Sequence, residues 1–321
     1  MDAVFALAHA PEGAGNATRT LAVAEALEDR GATVELAGGG PGAEFLAMNG
    51  YDEYEPTDLD FIDRREGDGG SVFAGLAHAA PRVVARFRDF YGWLDRTDPD
   101  VLLTDDPFAA LPALVQGVPF FRIDHSSVAC YDQPFERLAY RVFNRVSLEL
   151  GEGFFYTSVH ENPYPTREGL RPVGPIAHEP SDPETVEDFD ALVVPGTYST
   201  GFEDVAARLE DEGLDVTLVG GDDWEAVPSM TPYSAAADVV VCTGFSSIAE
   251  AVVSGTPAVV YPFIDCQEGI AAAIEEAGVP GVEVVDSVEE AVAAATDPPD
   301  PPDFDNGADE VADALVSFVA D

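Results

Sequence analysis

The chain contains no lysine. Its fifteen basic residues are all arginine, against 61 acidic ones, and the formal net charge is −46 over 321 residues. A surface so acidic repels the phosphate backbone, which excludes nucleic acid as a partner. Self-repulsion on this scale is tolerable where molar salt shrinks the Debye length to about 3 Å, so the composition points to a salt-filled, haloarchaeon-like cytoplasm. Cysteine is nearly as scarce. Cys130, Cys242 and Cys266 are scattered without metal-ligand spacing, which argues against a disulfide framework or a zinc site and fits a reducing compartment. No apolar run is long enough to cross a bilayer, and no basic segment followed by an apolar stretch opens the chain, so neither a spanning helix nor a secretory leader is expected. Disorder is excluded in turn, because 46% of residues are hydrophobic, enough to build two domains with separate cores.

What is present is an alternation of short apolar runs and amphipathic segments. The most informative stretch is Asp238 to Ile270. Val239 to Cys242 reads as a buried strand, Thr243-Gly244 as a turn, Ser246 to Ser254 as a helix and Ala258 to Tyr261 as a second buried strand. The acidic-amide segment Asp265 to Glu268 then reads as a loop. Two β-branched runs flanking an amphipathic helix make a βαβ unit of a parallel sheet. The helix start at Gly244, with Ser246 and Ser247, offers free N–H groups and a positive dipole to an anion such as a diphosphate. Glu250 follows near the mouth, where a carboxylate can accept hydrogen bonds from both hydroxyls of a ribose. It reads equally well as a solvated first-turn acid.

The first half repeats the strand-to-helix logic. Its opening strand ends at His9, and the APEGAGNAT segment leads into a helix starting at Thr18-Arg19. Gly13 and Gly15 lack the third glycine and the later acid of a dinucleotide fingerprint, so they make either a tight turn or a backbone-lined pocket on the cleft. Two further strands end at Asp105-Asp106-Pro107 and Asp124-His125, which places Asp105 and His125 at the carboxyl edge of one sheet. His125 is the first choice for a catalytic base and Asp105 the second; Asp105 can equally cap the helix that begins at Pro107. Gly196-Thr197 is a second candidate phosphate contact or a plain turn. Asp58 to Ser71 reads as a mobile loop and Phe154 to Ser158 as the last strand of the first sheet. Fourteen of the fifteen arginines precede Val173. Arg137, Arg141 and Arg145 form a stripe on the helix Pro134 to Leu150, read either as a surface face paired with local acids or as a patch for a phosphate or a membrane surface.

Thr-Gly-Phe-Ser-Ser-Ile-x-Glu-Ala from Thr243, then Ser-Gly-Thr-Pro, a strand ending Tyr261-Pro262 and Asp265-x-Gln267-Glu268 closely resemble the nucleotide-sugar half of GT-B glycosyltransferases. The nearest branch is the MurG-like group (family 28) with its archaeal relatives. GAGNATRTLAVAEAL resembles the GxGHATR-type loop and helix of that group, with Asn16 in place of the usual His, and VLLTDDPFAALPALVQGVPFFRIDH resembles its first-domain pattern. The resemblance implies an α/β fold of two doubly wound Rossmann-like domains facing a cleft. Residues 1–170 would hold the acceptor and residues 171–304 the nucleotide sugar, with residues 305–321 forming a helix that crosses back. It implies transfer of a hexose or N-acetylhexosamine from a nucleotide-diphosphate sugar, UDP-linked, with inversion and with no cofactor or protein-bound metal. The implied donor residues are Gly196, Thr197, Thr243, Gly244, Phe245, Ser246, Ser247, Glu250, Asp265, Gln267 and Glu268, with Met230 to Tyr233 against the base. His9, Gly13, Gly15 and Asn16 would line the acceptor side of the cleft. The acceptor is unassigned, a lipid-linked one being one reading, with the protein cytoplasmic or peripheral at the inner membrane face. Two alternatives stay open: a nucleotide-sugar 2-epimerase of the same fold, and a non-catalytic nucleotide-sugar-binding subunit.

Overall fold

The computed structural model describes residues 3–11, 13–58, 72–125, 134–160, 169–196, 199–221 and 224–320. They form two parallel sheets. The first contains β1 (Val4–Ala8), β2 (Thr33–Ala37), β3 (Glu53–Tyr54), β4 (Val101–Thr104), β5 (Phe120–Asp124), β6 (Gly153–Thr157) and β7 (Leu170–Val173), in the order β3-β2-β1-β4-β5-β6-β7. The second contains β8 (Phe189–Val194), β9 (Val216–Leu218), β10 (Ala237–Cys242), β11 (Ala258–Val260) and β12 (Val282–Val284), in the order β12-β11-β10-β8-β9. Every pairing is parallel. Parallel strands covered by helices on both faces are shielded from water along their whole length, which is why β4, β5 and β6 are buried at every position, the Arg122 and Asp124 of β5 included.

Strand order reverses between β1 and β4 in the first sheet and between β8 and β10 in the second. Crevices at such switch points, outside the carboxyl ends of the strands, are where doubly wound sheets hold ligands. Helices α1 (Ala14–Asp29) and α8 (Phe245–Val253) start at these two crevices and pack against one another. The last helix, α11 (Ala308–Ala320), leaves the second domain and lies on α1, where Val311, Ala312 and Leu315 join Phe5, Leu21 and Phe121 in one core. Fully burying a Val or Leu side chain stabilises by about 1.5–3 kcal/mol, so this return helix ties the two halves together.

Three local expectations change. The first sheet does not end at Phe154–Ser158: β7 adds beyond β6, because Leu170–Val173 pairs with Phe154–Thr157 in register. Helix α1 begins at Ala14, four residues before Thr18, since Gly13 adopts φ 93° and turns the chain into the helix that early. The segment from Asp265 is the first turn of α9 (Asp265–Ala277), not a loop. Its start is fixed by Gln267, whose Oε1 accepts from the N–H groups of Phe263 (2.9 Å) and Ile264 (3.2 Å). The expected loop at Asp58 to Ser71 falls, from residue 59 on, outside the described residues.

Candidate active site

The second-domain half is built by the ends of β8 and β10. Gly196 follows β8, and a side chain there would come within 2.8 Å of Thr243 Cγ2, so glycine is the residue that fits. Thr243 donates its hydroxyl to Gln267 Oε1 at 2.7 Å, which ties the end of β10 to α9 and commits that oxygen to structure. Gly244 then enters α8 in extended conformation. No side chain caps α8 and its first turn carries no acid, so Phe245, Ser246 and Ser247 open it with uncompensated N–H groups.

Glu250 lies in the second turn of α8 and is only 6% exposed, so the solvated reading fails. Burial pushes its carboxyl up to about 8. The same burial, with Glu250 adjacent, raises the Cys242 thiol and makes it unreactive. Glu250 lines a cavity of about 360 Å³ between the domains, together with Gly15, Phe45, Trp224, Met230 and Ser246. Glu268 is exposed on α9, the Asp265 side chain lies outside the described ones, and Thr197 lies outside the described residues.

The first-domain half is an edge of buried ion pairs. Asp105 Oδ1 accepts from the Ala10 N–H at 2.6 Å and its Oδ2 accepts from Arg19. Burial raises the Asp105 carboxyl against the pull of Arg19. Asp106, not Asp105, caps α4 (Pro107–Gln116), accepting from the Phe108 N–H at 2.7 Å, and its other oxygen receives two N–H groups of Arg86. Asp124 pairs with Arg122, whose guanidinium packs against Phe143 and Phe154.

His9, expected on the cleft, is fully buried. Its Nε2 meets Glu53 Oε2 at 2.9 Å and its Nδ1 meets the Ala10 carbonyl at 3.0 Å. Burial alone would lower its pKa, but Glu53 and the carbonyl outweigh that and raise it. Gly38 and Gly42 make room for it: a Cβ on either would fall 2.2 Å and 2.6 Å from the ring. His9 is thus a structural residue, both of its ring nitrogens held by partners inside the first domain.

His125 sits at the end of β5 with its ring stacked on Phe245 of the other domain, centroids 4.7 Å apart and planes 5° from parallel. Burial, then Arg19, holds its pKa down at about 4, against the nearby Asp124. Its Nδ1 lies 3.0 Å from Arg19 Nη1, so the lone pair a base would use is engaged. Asn16 Oδ1 accepts from Arg19 Nη2 at 3.1 Å, so its carbonyl orients Arg19. Gly15 touches the second domain: a Cβ there would lie 2.1 Å from Ser246 Oγ. Gly13 has open space beside it and serves by its backbone conformation.

Reading from sequence missed Arg19, Glu53 and Trp224 as members of this region. Arg19 carried a signal, being the one basic residue of α1 and set one turn beyond Asn16 just before the apolar run Leu21–Ala24. Trp224 carried less; it is one of two tryptophans, in a Gly-Asp segment that no period marks.

No protein-family model matches the chain, and no curated protein matches it either. Solved structures do. A Streptomyces sp. SF2575 glycosyltransferase complexed with thymidine diphosphate is 16% identical, with a TM-score of 0.64 over 98% of this chain and 99% of that one. The calicheamicin glycosyltransferase is 14% identical, with a TM-score of 0.65 over 99% and 98%. The MurG of Acinetobacter baumannii is 14% identical, with a TM-score of 0.58 over 98% and 99%. Likeness at these identities speaks for architecture, and the architecture shared along nearly the whole chain is the two-domain, Rossmann-like fold of the GT-B glycosyltransferases.

Proposed function

We propose that the chain is a glycosyltransferase that moves a sugar from a nucleoside-diphosphate sugar to an acceptor held on the first domain. One observation carries this reading. In a chain of 61 acidic residues, α1 and α8 both begin with no side-chain cap and no acid in the first turn, and these two starts meet across the cleft. Each helix end presents roughly half a positive charge and several free N–H groups. Two such ends facing each other repel until an anion lies between them, and a diphosphate fits that need. The remaining nucleotide follows from the cavity: ribose hydroxyls on Glu250, the base beside Trp224 and Met230. With no lysine and one arginine, Arg208, after Val173, the leaving diphosphate is stabilised by fixed backbone dipoles, an electrostatic form of catalysis.

Finer assignments belong to the same proposal. The donor is UDP-linked, the sugar a hexose or N-acetylhexosamine, the anomeric centre inverts, and no metal is held by the protein. The sequence motifs favour the MurG-like branch, and the absence of lysine with the acidic excess favours a halophilic archaeon. No helix among the described residues is long and apolar enough to cross a membrane. Helix α5 (Pro134–Leu150) exposes Leu138, Val142 and Leu150 beside Arg141 and Arg145, which suits a peripheral contact with a lipid-linked acceptor. Arg145 pairs locally with Glu149 at 2.8 Å, which tempers its share. The epimerase alternative loses ground, because Asp105, Asp106 and Asp124 are all held by arginines and none stands ready as an acid or base toward one bound sugar.

The test is a thermal-shift and turnover screen in molar KCl. UDP and UDP-sugars should raise Tm by several degrees, since a ligand bound only to the folded state stabilises it. Sugar transfer or slow donor hydrolysis should follow. No shift with any nucleoside diphosphate would refute the reading; binding without transfer or hydrolysis would leave a carrier subunit, and a new epimer formed without acceptor would restore the epimerase.

A further inference from the structure

Arg19 is 3% exposed and stands at the centre of the first-domain edge. One terminal nitrogen serves Asp105 and Asn16; the other faces His125 Nδ1 at 3.0 Å. A guanidinium has only N–H groups, no lone pair, and keeps its proton at any accessible pH. His125 Nδ1 is therefore the acceptor, and the single proton of the neutral ring sits on Nε2. A ring held in this tautomer cannot take a proton at Nε2; it can only donate a hydrogen bond there. Among the described residues no acceptor reaches that atom. The stack on Phe245, the first residue of α8, fixes the ring plane beside the start of that helix.

We propose that Arg19 is a positioning residue that locks His125 as an Nε2–H donor, and that this N–H binds an anionic oxygen of the nucleotide diphosphate. The first domain thereby completes the anion site that the α8 N-terminus begins. This rests on the donor-site reading given above. It also assigns His125 a role opposite to a base: the ring stabilises charge on the leaving group and stays neutral throughout. Asp124 Oδ1, 4.0 Å from Nδ1, is too far to take Arg19's place as the partner that sets the tautomer.

The experiment uses the full chain labelled with ¹⁵N-histidine, the His125 signals being assigned by their loss in His125→Gln. In the wild type, Nε2 carries the proton and Nδ1 does not from pH 6 to 8, and the Nε2–H signal shifts on titration with UDP and with inorganic pyrophosphate. In turnover, His125→Ala loses about 10²–10³-fold in kcat, the usual cost of removing one oxyanion donor. His125→Gln, whose amide offers an N–H near the Nε2 position but no basic nitrogen, keeps kcat within about tenfold of wild type on that account. Arg19→Met lets the proton move between the ring nitrogens and lowers kcat more than it raises the donor KM; if it does not fold, the wild-type spectrum and His125→Gln decide alone. A proton on Nδ1 overturns the inference whatever ligand binds. So does an Nε2–H signal unmoved while UDP saturates, or His125→Gln as inactive as His125→Ala. If instead the tautomer holds but neither UDP nor pyrophosphate binds, the donor-site reading itself has failed.

Discussion

Replacing Glu250 by glutamine should make the empty protein more stable and the nucleotide bind less well. The carboxyl is 6% exposed and burial raises it from 4.5 to about 8. The sign follows from proton counting. Between pH 4.5 and 8 the folded chain keeps a proton that the unfolded chain has released, so wild-type stability falls as pH rises through that window. At 1.36 kcal/mol per pH unit, the cost reaches about 3 kcal/mol at pH 7, an upper bound because water entering the cleft screens the charge. Glutamine keeps the shape and does not titrate. Glu250→Gln should match wild type below pH 4.5 and exceed it by up to about 3 kcal/mol at pH 7, or roughly 4–5 °C in Tm for a chain of this size. Binding should move the other way. A ribose that donates both hydroxyls prefers the carboxylate, so wild-type affinity should rise with pH and level off near pH 8. The glutamine variant should show no such rise, and should lose about 1.5–3 kcal/mol for each charge-assisted hydrogen bond removed. The assays are thermal unfolding in molar KCl across pH 4–9 and calorimetric titration with UDP. Coincident stability curves for the two proteins, or equal UDP affinity at pH 8, would refute the argument.

Other consequences are equally direct. Gly15→Ala should push α1 from α8, since its Cβ would sit 2.1 Å from Ser246 Oγ; UDP affinity should fall with Tm little changed, and adding Ser246→Gly should restore it. Arg86→Met should destabilise by about 3–5 kcal/mol, because it leaves Asp106 buried and unpaired, and the double variant with Asp106→Asn should recover much of that in denaturant melts. Chelation with EDTA should leave transfer unchanged if no metal is held by the protein; a loss reversed by a divalent cation would contradict that proposal. Lowering KCl from molar to 0.1 M lengthens the Debye length from about 3 to 10 Å, so a chain of net charge −46 should lose Tm steeply, and a flat dependence would remove the salt-adapted reading.

Local pattern was enough to read the α/β class and most elements. Continuous β-branched runs such as those in β10 and β11 have few other stable homes, and an apolar face repeated along Ala308 to Ala320 gave α11 its full length. Helix starts were less legible. Gly15 and Asn16 look like turn residues, yet both lie in the first turn of α1, because the chain turns at Gly13 and because Ser246 leaves no room for a side chain at position 15. The β7 strand was hidden by its proline and its exposed positions, which only pairing with β6 makes sense of.

The sequence by itself determined the acidic surface, the two parallel sheets and the glycine-bearing helix starts, all of which depend on residues near one another in the chain. Tertiary structure decided which titratable groups are paired, since His9 with Glu53 and Arg19 with Asp105 and His125 join positions 44, 86 and 106 residues apart. A charge in water is indifferent to such distant partners. Once buried it must find one, and only the fold says which.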